Sequence, residues 1–124
     1  MGNTPEQNLE DMADAIVRTL TALRNAARHL PIPVTLPKPK PGMPAKDLIG
    51  PIKALRAKLE KEPISEAVLN RLDQAALGVL AAIDLTRVAM SEEIDYRYDA
   101  IHMIGTISII AARLAENELK GAAN

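Results

Sequence analysis

The chain has 124 residues, close to the usual size of one domain, and 48% of them are hydrophobic although only two, both tyrosines, are aromatic. A net charge of −1 disfavours general attraction to nucleic acid or to an anionic membrane, and the absence of cysteine excludes disulfides and thiolate metal sites. We therefore expect one domain over residues 1–124 with an aliphatic core. We expect it to be cytoplasmic, since no charge-free stretch is long enough to cross a bilayer and no secretory signal begins the chain.

The first predicted element is a helix over about residues 5–30. Its start matches a capping box with proline at the first helical position, Thr4-Pro5-Glu6-Gln7. Apolar residues then recur at alternating spacings of four and three, which is typical of a helix that packs along one seam. The members of this seam are Leu9, Ala13, Ile16, Leu20, Leu23, Ala27 and Leu30.

The next predicted element is an extended, proline-rich strap over residues 31–46. Six of the nine prolines fall between Pro31 and Pro44, and their missing N–H groups and restricted φ angles exclude a helix or a central strand. A polyproline-like strap of this length could run back along helix 1. The second helix would then start beside the beginning of the first.

Three further helices are predicted after the strap, over about residues 47–61, 65–89 and 92–120. Helix 2 is short and amphipathic, and Ser65 has the position of an N-cap for helix 3, which is apolar on nearly all sides. The triplet Ser91-Glu92-Glu93 predicts the start of helix 4, and Gly121 predicts its end. A single continuous helix through Ser91 remains open.

Helix 4 has one main apolar stripe, which we expect to face helix 3. The stripe consists of Ala100, Met103, Ile104, Ile107, Ile110, Ala111 and Leu114. A chain reversal at Ser91 would also set Gly78 opposite Gly105, so we expect the two glycines to mark the helix crossing. Residues 94–99 alternate apolar and polar side chains, which leaves a short β-hairpin as an alternative there.

Together these elements predict an all-α fold. The expected architecture is an antiparallel helical bundle of three long helices and one short helix, with the proline-rich extended strap between helices 1 and 2.

Two Arg-x4-His pairs are present, Arg24 with His29 and Arg97 with His102. The first pair, with Asn25 after the arginine, resembles the motif of HEPN ribonucleases, a family of small all-helical proteins. The resemblance implies that His29 acts as general base and that Arg24 binds the phosphate. Considered by itself, His29 fits a polar residue at a helix C-terminus, where the dipole favours positive charge. A HEPN-like ribonuclease is therefore the alternative function.

Metal and nucleic-acid sites are weakly indicated. Asp99 and His102 have the spacing of half a carboxylate-bridged dinuclear centre, but the sequence contains no second acid-x-x-His, so we predict no metal and no cofactor. The bases of helix 2, Lys53, Arg56 and Lys58, could contact nucleic acid, which the net charge disfavours.

The main functional hypothesis follows from a surplus of apolar helical surface. It is more than one bundle of this size needs to cover, which favours a non-catalytic binding or assembly subunit that forms a homo-oligomer or packs on a helical partner. A bacterial or phage structural or regulatory protein would fit this description. The predicted interface consists of Leu9, Ile16, Leu20, Leu23 and Ile109.

Overall fold

The computed structural model describes residues 5–40, 42–91 and 95–123. Four helices account for most of them: α1 (Pro5–Ala27), α2 (Ala45–Leu59), α3 (Glu66–Ser91) and α4 (Asp95–Ala123). The described ranges contain no strand, which confirms the all-α prediction, and residues 95–99 belong to α4 rather than to a hairpin. The predicted cap Thr4 and the residues Glu92-Glu93 lie outside the described residues.

Helices α3 and α4 pack against each other in antiparallel directions. Arg71 near the start of α3 forms an ion pair with Glu118 near the end of α4. Farther along, Gly78 lies against Ser108. The two segments are therefore separate helices, and one continuous helix through Ser91 is excluded.

Helix α1 packs on both α3 and α4 and runs parallel to α4. Ala15 and Thr19 lie beside Gly105 of α4, and Asn25 lines the same surface cleft as Glu116, so both contacts advance toward the C-terminal ends of α1 and α4 together. Helices α1, α3 and α4 thus form a three-helix bundle in which α3 is antiparallel to the other two. Helix α2 packs on α3.

The segment between α1 and α2 turns and runs back along α1. After the turn that ends α1, Val34 N donates to Ala27 O (3.2 Å), and the side-chain Nε of Arg24 donates to Leu36 O (3.2 Å). Met43 lines a cavity together with Ile16, near the start of α1. This return brings the start of α2 beside the first half of α1, where Ala45 and Leu48 line the same cavity as Ile16.

Three helix boundaries show how local chemistry sets the elements. Ser65 Oγ accepts a hydrogen bond from Val68 N (3.2 Å), which confirms the predicted N-cap of α3. Helix α2 begins at Ala45 with extended Pro44 before it, so Pro51 lies inside the helix. Helix α1 ends at Ala27, and the next residues form a turn in which His29 N donates to Ala26 O (3.0 Å).

The core is aliphatic and lies where all four helices and the strap meet. Helix α4 contributes mainly alanines to this core, and the largest fully covered side chains come from α1, the strap, α2 and α3: Leu20, Leu23, Leu36, Ile52, Leu55, Leu59, Leu72 and Val79. Each contributes about 1.5–3 kcal/mol by leaving water. A second, smaller cluster surrounds Ile101 and includes Met12 and Ala15 near the start of α1.

Candidate interaction surface

The residues predicted to form an interface on α1 are largely covered within the chain. Leu20 and Leu23 have no exposed surface and belong to the core, so these two residues hold the protomer together and are inaccessible to a partner. Ile16 is half-buried in a cavity of about 250 Å³ lined by the strap, α2 and α3, and Ile109 of α4 is also half-buried. Leu9 keeps 43% of its surface exposed. The predicted interface is therefore wrong for Leu20 and Leu23, which are buried in the core, while Leu9 stays exposed.

Between residues 103 and 115, helix α4 buries small residues and exposes most of its large apolar ones. Against α1 and α3 it presents Gly105, Ser108, Ala111, Ala112 and Ala115, all buried. Met103, Ile107, Ile110 and Leu114 are exposed, at 65%, 45%, 53% and 44%. Four residues of the stripe expected to face helix 3 therefore point to the outside of the bundle. The physical reason is that small side chains let neighbouring helices approach closely, which large ones at the same positions would prevent.

The two glycines lie at different helix contacts rather than opposite each other. A Cβ at Gly78 would lie 1.6 Å from Ser108 Oγ and 2.9 Å from Ser108 Cβ, so this position is where α3 comes closest to α4. A Cβ at Gly105 would instead lie 3.2 Å from Thr19 Oγ1 of α1. Gly105 therefore marks the α1–α4 contact, while Gly78 marks the α3–α4 contact.

The exposed residues of α4 lie on the side of the α3–α4 pair that faces away from α1. Successive residues are about 100° apart around a helix. Ile107 is thus about 100° from Ser108, which faces α3, and lies on the opposite side from Gly105, which faces α1. On α3, Leu77 is exposed while Val79, on the other side of Gly78, is fully buried in the core. The exposed rows of both helices therefore point in the same direction.

We call this surface the α3–α4 face. Its large apolar side chains are Leu77, Val88, Tyr96, Met103, Ile107, Ile110 and Leu114. Asp84 lies between the two α3 members, and the ion pair of Arg71 with Glu118 lies at one end. Arg113, between Ile110 and Leu114 in sequence, lines a cleft with α1 instead. The α4 part of the face is therefore apolar from Met103 to Leu114, while Asp84 on α3 and Asp99 on α4 bring acidic side chains to the face.

The alternative catalytic pair lies at the end of α1 and in the turn that follows it. The Arg24 guanidinium is partly buried and donates to Leu36 O, so it fastens the strap to α1. His29 is exposed in the turn after α1. The second pair lies on α4, where Arg97 stacks over the Tyr96 ring (5.9 Å to its centre) and His102 is exposed. Arg24 thus has a structural role that accounts for its position.

The candidate metal ligands lie on α4, and the bases considered for nucleic-acid binding lie on α2. Asp99 and His102 are exposed on α4, and no group of three potential metal ligands occurs among the residues that the structure describes. On α2, Lys53 and Lys58 are exposed, whereas Arg56 Nε donates to Asp73 Oδ1 (2.7 Å). This hydrogen bond raises the pKa of Arg56. One base of the predicted patch is therefore used to hold α2 on α3.

Comparisons with known proteins identify no relative of this chain. No protein-family model matches the sequence, and no curated protein or solved structure matches it either. Within the described residues, no helix is both long and apolar enough to span a membrane.

Proposed function

We propose that this protein is a non-catalytic assembly subunit that self-associates or packs on a helical partner through the α3–α4 face. The observation that carries the proposal is the row of large apolar side chains that α4 exposes while it buries alanine, serine and glycine. Exposed apolar area of this extent on one side of a small domain is typical of an interaction surface. The proposal places the protein in the cytoplasm, as a structural or regulatory subunit of a bacterium or phage.

The geometry of the face suits a helical partner. Met103, Ile107, Ile110 and Leu114 are spaced by four, three and four residues, the pattern that packs against another helix along a seam. On α3, Leu77 adds a further exposed apolar side chain beside this α4 row. A partner helix laid along the pair would therefore find apolar contacts over about three helical turns.

Photo-crosslinking in cells tests the proposal. A photoreactive residue replaces Ile110 in one variant and Leu9 in a control, because Leu9 is an exposed apolar residue on a different surface. We expect a discrete crosslinked product from position 110, either with the protein itself or with one other protein identified by mass spectrometry. Position 9 should give none. A product from position 9 and none from position 110 would contradict the proposal.

A further inference from the structure

We infer that the occupant of the α3–α4 face is a second copy of this chain, with α4 of each protomer packed antiparallel on α4 of the other about a twofold axis. The inference rests on the proposed function, because it uses the same face, and it names the partner that the face takes.

Charge is the first reason to choose a second copy. An anionic membrane would favour lysines and arginines flanking the apolar row. This face instead carries acidic Asp84 on α3 and Asp99 on α4 and, at one end, the ion pair of Arg71 with Glu118. The α4 row from Met103 to Leu114 has no charge by which to select a different partner, and packing on a second copy of that row requires none.

The spacing of the α4 row is the second reason. The intervals from Met103 to Leu114 read four, three, four in either direction, so a reversed copy presents the same pattern. In the antiparallel arrangement Met103 lies opposite the partner's Leu114, and Ile107 lies opposite the partner's Ile110. The twofold axis passes between residues 108 and 109, near the middle of the face. A twofold contact of this kind closes on itself and yields a dimer rather than a fibre.

The available area is the third reason. Half-exposed side chains of this size each present on the order of 100 Å². The seven large apolar residues of the face therefore offer roughly 700 Å² per protomer, close to the ~800 Å² per partner of a standard stable interface. The face is large enough for a dimer without further contacts from α1 or α2.

Sedimentation velocity of the purified full chain tests the dimer. We expect a dimer at micromolar concentration and a monomer for the double variant Ile107→Gln, Ile110→Gln, with association weakened by roughly 100-fold or more because four apolar contacts are lost in the pair. Leu9→Gln is the matched control, since Leu9 (43% exposed) is nearly as exposed as Ile107 (45%), and it should leave the dimer intact.

The outcomes separate this inference from the proposed function. A wild-type chain that stays monomeric overturns the inference, and the proposed function then stands or falls on whether position 110 crosslinks to another protein. A dimer lost in Leu9→Gln but kept in the double variant overturns both. Circular dichroism shows that each variant remains folded before its mass is interpreted.

Cysteine crosslinking tests the antiparallel arrangement, and the chain has no cysteine of its own to interfere. We expect no disulfide from Met103→Cys alone or from Leu114→Cys alone, because each residue lies roughly 16 Å along the helix axis from its own copy. An equal mixture of the two variants should form the mixed disulfide, since residues 103 and 114 then face each other. A homodisulfide of Met103→Cys would indicate a parallel pair and overturn the arrangement.

Discussion

The two sides of the α3–α4 pair are both apolar, yet they differ in what covers them. On the inner side, α1, α2 and the strap lie over the pair, and Val79 and Ile101 have no exposed surface. On the outer side, Leu77 and Ile107 are nearly half exposed, and none of the four helices covers them. Apolar periodicity thus predicts that a helix face makes a contact. Whether the contact lies inside the protomer depends on where the connections bring the other helices.

The largest expected difference between the two sides is in stability. Leu23→Ala removes a fully buried side chain and should lower the free energy of unfolding by about 3 kcal/mol. Leu114→Ala removes an exposed one and should cost less than about 1 kcal/mol. Urea denaturation compares the two, both in the Ile107→Gln, Ile110→Gln background so that association does not contribute. Equal losses would mean that Leu114 is covered within the protomer.

A second prediction concerns Gly78, where α3 and α4 approach each other closely. Gly78→Ala should destabilise the protein by about 1–3 kcal/mol, because the new Cβ overlaps Ser108. Gly121→Ala near the end of α4, where an added Cβ meets nothing within 4 Å, should instead leave the stability unchanged or raise it by less than about 1 kcal/mol. Thermal denaturation measures both.

The double variant Gly78→Ala, Ser108→Gly is the control for this close approach, and it should recover most of the lost stability. Recovery identifies the Ser108 side chain as the cause. Failure to recover would show that Gly78 serves another purpose than the contact between α3 and α4.

The smallest effect is expected at the exposed turn after α1. His29→Ala should change the free energy of unfolding by less than about 0.5 kcal/mol, because its side chain is exposed. Arg24→Met should cost about 1 kcal/mol, since it loses the hydrogen bond to Leu36 O. Incubation of a labelled RNA with purified protein completes the test, and we expect no cleavage. Cleavage that His29→Ala abolishes would favour the ribonuclease alternative.

Several local features could be predicted because they depend on residues near in sequence. A serine cap needs only a side-chain hydroxyl three residues before a backbone N–H that has no carbonyl partner within the helix. The hydrogen bond from Val68 N to Ser65 Oγ forms in this way. The all-α class followed from the period of the apolar residues in each segment. Both depend on contacts within a turn or two of helix, which a single sequence contains.

The orientation of α4 was harder to predict, because the helix has two stripes. One is large and apolar, through Met103 and Leu114, and the other is small, through Gly105, Ser108 and Ala112. We expected the large stripe to face inward because its transfer free energy is greater. The signal for the opposite orientation was present in the small residues, which allow two helices to contact α4 at short range.

By itself, the sequence determined that the chain forms helices, where α3 begins and that the core is aliphatic, because propensity, capping and composition act locally. Only the tertiary structure decided that Leu20 and Leu23 are buried while Ile107 and Ile110 are exposed. The physical reason is that burial depends on which other helix lies across a face, and here the return of the strap along α1 brings α2 to the inner side of the bundle. The large apolar residues on the outer side of α3 and α4 stay exposed.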